Sequence, residues 1–205
     1  MKKMLLVFGA ILLFGFTALA QDDEYPKFEL SGMGSMMVAD IDVLGDETMW
    51  GYGIGAQYNV SKVFGIVGEW SATHGESGPV SLYPGNGTVV VIPKLDTRMQ
   101  TLLFGPRFSY RTKPVTIFGH FLIGAGTTKL DDDIGTFNYE SYTSWQVAMA
   151  IGGGLDINVG SRFAIRPVQF DYVYLDSDIN SLSNSPDAPG SLNNYRYMFG
   201  AVFKF

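Results

Sequence analysis

The chain has 205 residues, a net charge of −6 and no cysteine. That composition excludes disulfides, thiol chemistry and cysteine-based metal sites, and an acidic chain with scattered basic residues makes nucleic acid a poor partner. Its 25 glycines would burden helices heavily.

The opening "MKKMLLVFGAILLFGFTALA" carries Lys2 and Lys3, an apolar run from Met4, and Ala18-Leu19-Ala20 at its close. A positive n-region, an h-region and an A-x-A site predict a secretory signal peptide over residues 1–20, cleaved before Gln21. The competing reading, an uncleaved anchor helix, has an apolar run near the lower limit for crossing a bilayer. Residues 21–205 are then one domain. No later apolar run approaches the length of a membrane helix, so the exported chain is either soluble or crosses a membrane as strands.

Alternation of apolar and polar residues, rich in aromatic and β-branched types, predicts eight strands over residues 27–39, 48–60, 63–73, 96–110, 115–128, 143–159, 162–175 and 194–205. Three links are tight, around Ser61-Lys62, "RTKP" and Gly160-Ser161. Four are long: "DIDVLGDET", "HGESGPVSLYPGNGTVVVIPKL", "KLDDDIGTFNYESY" and "DSDINSLSNSPDAPGSLN". Long and short links in rotation put every tight turn at one end of an up-and-down meander. Bacterial outer-membrane barrels sort their loops in this way, and nothing in a soluble barrel requires it. Residues 74–95 and 176–193, rich in Gly, Pro, Ser and Asn, are expected to be disordered and to carry any binding.

In "SWQVAMAIGGGLDINVG", residues 144–160, every second position from Trp145 is apolar apart from Gly153, while the others are small, polar and once charged. The same split sets Trp50, Tyr52, Ile54, Ala56, Tyr58 and Val60 against Gly51, Gly53, Gly55, Gln57 and Asn59. It also puts Phe64, Ile66, Trp70 and Ala72 on one face of the third strand. A water-facing exterior would be rich in Lys and Glu. The small residues of this polar face suit the inside of a narrow barrel, so the greasy face points to lipid. Trp50, Trp70, Trp145, Tyr174, Tyr195 and Tyr197 lie toward the long links, and Phe28, Tyr58, Phe64, Tyr110, Phe163 and Phe203 toward the tight turns. Aliphatics fill the band between, which matches two aromatic girdles at the two faces of a bilayer. A sheet in hydrocarbon has to close. The expected fold is therefore all-β: an eight-stranded antiparallel up-and-down transmembrane β-barrel surrounded by outer-membrane lipids. A lipocalin-like soluble barrel with an apolar lumen is the competing architecture.

The same alternation turns Glu29, Glu69, Arg107, His120, Asp156, Asp171, Arg196 and Lys204 inward, and Arg166 joins them if Pro167 sits at a phase-resetting bulge. Buried ions have to pair, and Arg107, Arg166 and Arg196 are natural partners for Glu69, Asp156 and Asp171. Such a set either plugs an interior that eight strands leave just wide enough for side chains, or lines an ion path whose pairs can swap.

No pattern calls for a cofactor, a metal ion or a catalytic set. His74, Glu76 and Ser77 crowd the start of one loop just past the third strand, whereas a lipid-modifying set of His, Ser and Glu needs a lipid-facing arrangement across neighbouring strands. "DSDINS" echoes the first ligands of a calcium loop, but the sixth position is Ser181 and the twelfth Asp187. Asp131, Asp132 and Asp133 read as mutually repelling surface charges, with weak divalent-ion bridging to anionic headgroups as the sharper option. Gly152-Gly153-Gly154 lies inside a strand rather than before a helix, so it is not a phosphate cradle.

"FGPRFSYR" in the fourth strand, "FAIRPVQFDYVY" in the seventh and the final "YRYMFGAVFKF" resemble the small bacterial outer-membrane barrels of the OmpA-like/OmpX-like type. The likeness spans the whole mature chain. It implies a monomeric integral outer-membrane protein of a Gram-negative bacterium. It also implies that Tyr197, Phe199, Phe203 and Phe205 form the C-terminal signal read by the barrel-assembly machinery. The sequence stops at Phe205 with no peptidoglycan-binding domain, so a cell-wall tether is not expected. The expected role is structural or surface-interacting, through acidic external loops whose ligand the sequence does not name. A narrow ion conduit and a lipid-modifying enzyme are the alternatives.

Overall fold

The computed structural model describes residues 25–41, 45–77, 80–82, 90–92, 95–132, 145–176 and 191–205. The signal segment 1–20, Asp133 and most of "DSDINS" lie outside the described residues. The strands are β1 (Phe28–Ile41), β2 (Gly45–Asn59), β3 (Phe64–Ser77), β4 (Val80–Leu82), β5 (Val90–Ile92), β6 (Leu95–Arg111), β7 (Val115–Asp132), β8 (Gln146–Asn158), β9 (Phe163–Asp176) and β10 (Ser191–Lys204).

Eight of them close into one antiparallel barrel in chain order, with β3 pairing directly to β6 and β10 returning to β1. Closure satisfies the backbone: an open edge would leave a row of N–H and C=O groups bare in hydrocarbon. At the seam Glu29 faces Lys204 and Asp40 faces Asn193, and the amide of Lys27 donates to the Phe205 carbonyl at 2.8 Å. No helix among the described residues is long and apolar enough to cross a membrane. This chain crosses with strands.

The three tight turns stand where predicted. Val60 N–H donates to Phe64 O at 3.0 Å, Thr112 N–H to Val115 O at 2.8 Å and Val159 N–H to Phe163 O at 3.1 Å. The long-link ends differ from expectation. β3, β6 and β7 reach Ser77, Leu95 and Asp132, beyond the predicted limits of 73, 96 and 128. β1 and β2 pair as far as Ile41↔Gly45, which leaves only residues 42–44 of the first predicted long link between them. Past the lipid band both faces of a strand meet polar surroundings, so alternation fades while the hydrogen-bond ladder continues. β8 begins at Gln146, three residues later than predicted. Within the segment expected to be disordered, β4 and β5 pair from Val80↔Ile92 to Leu82↔Val90; the β-branched run Val90-Val91-Ile92 of β5 favours a ladder.

β9 carries the bulge. Met198 faces Gln169 but Gly200 faces Arg166, so Pro167 and Val168 together oppose Phe199. Proline lacks the N–H that a regular ladder position needs, and a bulge tolerates that loss. The extra residue leaves Pro167 and Val168 both exposed while Arg166 and Gln169 are both buried.

Candidate functional site in the barrel interior

All nine charged residues expected to face inward are buried: Glu29, Glu69, Arg107, His120, Asp156, Arg166, Asp171, Arg196 and Lys204. Neighbouring strands bring them together. Asp171 and Arg196 are direct cross-strand partners, as are Arg107 and His120. His120 and Asp171 sit two strands apart, with Gly152 of β8 opposite each of them. Their side chains meet over that glycine, His120 Nε2 to Asp171 Oδ1 at 2.8 Å. The glycine is a steric requirement, because a Cβ there would fall 2.2 Å from Asp171 Oδ1.

Two pairings anchor the network. Arg166 grips Asp156 with both ends of its fork, Nε to Oδ1 at 2.7 Å and NH2 to Oδ2 at 3.0 Å, the geometry that makes arginine–carboxylate pairs strong. Arg196 is shared: its NH2 lies 2.5 Å from Glu69 Oε1 and 2.6 Å from Asp171 Oδ2, and its NH1 donates to Ser71 Oγ at 2.8 Å. Gln169 ties the two groups together. It accepts from Arg166 at 2.9 Å and donates to Glu69 at 3.0 Å and Asp171 at 2.9 Å.

Arg107 departs from the expected pairing. Among the described residues no carboxylate salt-bridges it; it donates to Gln57 Oε1 at 2.9 Å and to His120 Nδ1 at 3.2 Å. Arginine only donates, so Nδ1 accepts, and the imidazole proton sits on Nε2 facing Asp171. The Arg107 guanidinium also lies 4.3 Å from the Phe118 ring centre, and that of Arg166 lies 4.4 Å from it. A cation over an aromatic face replaces part of the lost hydration.

The hydrogen bonds run on toward the tight-turn end. Gln57 Nε2 donates to Asn59 Oδ1 at 2.6 Å, and Asn59 Nδ2 donates to Glu29 Oε1 at 2.7 Å. Glu29 pairs there with Arg111 at 2.7 Å, which also donates to the Lys62 carbonyl. Lys204 Nζ donates to Asn158 Oδ1 at 2.5 Å. Arg111 was missed from sequence because the predicted strand stopped at residue 110. It shares the phase of Arg107, so alternation carried one residue further finds it.

Sequence reasoning also missed the apolar side chains that pack against the charges and beyond them toward the long links, where Met37 faces Arg196 and Leu103 faces Glu69. Met37, Met49, Met99, Leu103, Leu122, Val173 and Leu175 belong to one buried cluster. Each is in phase with an inward polar or charged residue on its own strand, as Met37 is with Glu29, Met49 with Gln57 and Leu122 with His120. The weight of Gly, Ala and Ser on the inner face hid them.

On the outer wall Trp50, Tyr58, Trp145, Tyr195, Tyr197 and Phe203 are exposed, Tyr110 the most at 71 %, while Trp70 and Tyr174 are half-buried. Phe199 and Phe205 are exposed on the same face as Tyr197 and Phe203. Aromatics pair across strands at both ends: Phe28–Tyr58 and Phe163–Phe203, each with centroids 5.3 Å apart, near the turns, and Tyr52–Trp70 at 5.6 Å near the long links. Ala72, expected on this wall, is buried; its short side chain lies opposite Tyr52. His74, Glu76 and Ser77 are part of β3 rather than of a loop, with His74 and Glu76 exposed.

Among solved structures, Neisserial surface protein A (NspA) matches with a TM-score of 0.62 at 11 % identity, covering 89 % of this chain and 100 % of that one. The outer membrane protein OprG from Pseudomonas aeruginosa matches with a TM-score of 0.52 at 14 % identity, covering 89 % of this chain and 97 % of that one. Identities this low show a shared fold alone. No curated protein sequence matches the chain. The model of the outer membrane protein beta-barrel domain matches residues 8–205, and the chain, a closed eight-stranded transmembrane barrel of the outer membrane, belongs to that family.

Proposed function

We propose that the protein is a structural or surface-interaction protein, a rigid barrel that holds four acidic links, three of them long and the β1–β2 link shortened to residues 42–44, outside the cell after removal of residues 1–20. The filling of the interior carries this reading. Among the described residues the charged network and the apolar side chains around Met37, Met49, Met99 and Leu175 pack the interior, and the crevice beside Glu29, Gln57, Arg107 and Arg166 is too narrow for a water molecule. Recognition then falls to the links between β1 and β2, β3 and β6, β7 and β8, and β9 and β10. The barrel acts as a monomer in outer-membrane lipid, delivered by the barrel-assembly machinery, with no cofactor and no catalytic residue. Protease applied to intact cells is expected to cut only in those four links. Cleavage at the turns near 61, 113 or 160 would overturn the orientation.

One observation favours a second reading, a narrow ion conduit. Arg107 is buried without a carboxylate partner among the described residues, and its Nε has no hydrogen-bond acceptor, so the lumen holds positive charge that a passing anion would neutralise. Planar-bilayer recording separates the two: steady conductance steps that change in Arg107→Ala favour the conduit, and a silent bilayer favours the filled scaffold. For a lipid-modifying enzyme, unchanged lipid A in overexpressing cells is the contrary result, and it is the one expected.

A further inference from the structure

The tight-turn end of the barrel is cationic. Lys27, Lys113 and Arg162 are exposed there and Lys62 is half-buried. Arg111 and Lys204 lie just inside, Arg111 paired with Glu29 and Lys204 bonded to Asn158. Among the described residues the only acidic side chains at this end are Glu29 and Asp156. Both are buried and already held, Glu29 by Arg111 and Asp156 by Arg166. Even counting a terminal carboxylate at Phe205, positive charge exceeds negative here, in a chain whose net charge is −6. Arg111 also keeps an Nε–H that finds no acceptor among the described residues.

The chain that enters β1 is bound across this end. Tyr25 donates its hydroxyl to the Val60 carbonyl at 3.0 Å, and Asn59 Nδ2 donates to the Pro26 carbonyl at 2.8 Å. Lys27 Nζ donates to the Tyr25 hydroxyl at 2.7 Å and lies 4.2 Å from that ring's centre. Residues 25–27 are thereby fastened to the turn between β2 and β3, which carries Lys62. Arg111 NH1 donates to the Lys62 carbonyl, tying this turn to the end of β6 and so to the turn that carries Lys113.

The sequence supplies counter-charge at that point. Asp22, Asp23 and Glu24 immediately precede Tyr25 and lie outside the described residues. A chain covers at most about 3.5 Å per residue, so Asp22 can reach about 10 Å from Tyr25. With strands about 4.8 Å apart, the Lys113 turn lies about 10 Å from the Lys62 turn, whereas the Arg162 turn is diametrically opposite. Covalent attachment presents the three carboxylates to the cations at high effective concentration, which offsets the weakness of single surface ion pairs. We propose that Asp22, Asp23 and Glu24 dock on the Lys62 and Lys113 side of the tight-turn end, so that the chain's own N-terminal segment covers the mouth of the lumen over the Glu29–Arg111 pair. This rests on cleavage before Gln21, which the mass of the mature chain tests separately.

The chain has no cysteine, so Gln21→Cys takes a single nitroxide label beside the acidic run. The electron paramagnetic resonance spectrum of that label, in the folded mature barrel in uncharged detergent, reads docking as immobilisation. The labelled parent is expected to show an immobilised fraction that falls about fivefold in 1 M salt, where the screening length is about 3 Å. Lys62→Gln/Lys113→Gln and Asp22→Asn/Asp23→Asn/Glu24→Gln are each expected to release the label to the same extent while keeping heat-modifiable gel mobility. Arg98→Gln/Lys129→Gln, at the opposite end, is expected to leave it immobilised. The acidic-run variant touches no strand, so the test stands even if the lysine variant does not fold. A label equally free in parent and variants, immobilisation indifferent to salt, or release on adding phosphatidylglycerol to the parent would each overturn the contact, the last by assigning these cations to lipid headgroups.

Discussion

Gly152 shows how much of the interior depends on a missing atom. His120 and Asp171 meet only because the strand between them carries no side chain, so Gly152→Ala forces Asp171 away. It is expected to cost about 1–3 kcal/mol, read as a lower urea midpoint for the barrel refolded in detergent. The arginines differ from one another. Arg166→Met strands Asp156 without its bidentate partner and is expected to cost about 3–5 kcal/mol, whereas Arg107→Met leaves no carboxylate orphaned and removes a guanidinium held only by Gln57, His120 and Phe118. Equal destabilisation by the two, in parallel urea titrations, would contradict the pairing described. At this scale the sequence revealed direction better than partnership. Alternation says which way a side chain points, so Glu69 and Arg196 could both be turned inward from the pattern alone. Who pairs with whom depends on register between distant strands, 127 residues apart in the chain for Glu69 and Arg196, and a single strand's pattern holds no trace of that.

At the scale of an element, β9 is the informative strand. Its apolar period breaks at Pro167, and the same residue tells the reader why: a proline inside a strand asks for a bulge, and a bulge shifts the phase by one. Deleting Pro167 removes the extra residue and restores plain alternation, with Arg166 and Gln169 still inward and Val168 alone opposite Phe199. The deletion variant and Pro167→Ala are therefore both expected to retain heat-modifiable mobility on gels, and its loss in the deletion variant would contradict a phase-resetting bulge. Strand ends outside the lipid band were less legible. β3 continues to Ser77 through residues that alternate in nothing but position, and only its ladder with β6, ending at Ser77↔Leu95, shows that it is still a strand.

For the molecule as a whole, the barrel is polar from end to end. Lys62, Lys113 and Arg162 sit in or beside the three tight turns, whereas all three tryptophans of the chain, Trp50, Trp70 and Trp145, lie toward the long links. Brominated lipids with the bromine at graded depths are expected to quench that fluorescence from one shallow depth on one side of the bilayer; two separate depths would break the girdle assignment. The overall architecture was the most legible level, because a hydrocarbon environment permits few ways to satisfy a backbone and the rotation of short and long links selects among them. The seam has a cost in time. Its twelve residue pairs run from Glu29↔Lys204 to Asp40↔Asn193, and bringing such distant positions together loses roughly 4–5 kcal/mol of chain entropy before any rung forms. Until those rungs zip, two strands would expose bare amides to acyl chains, so a half-shut cylinder has no resting place in the bilayer. Insertion and circularisation of the sheet therefore become a single event, and whatever hastens one must catalyse both.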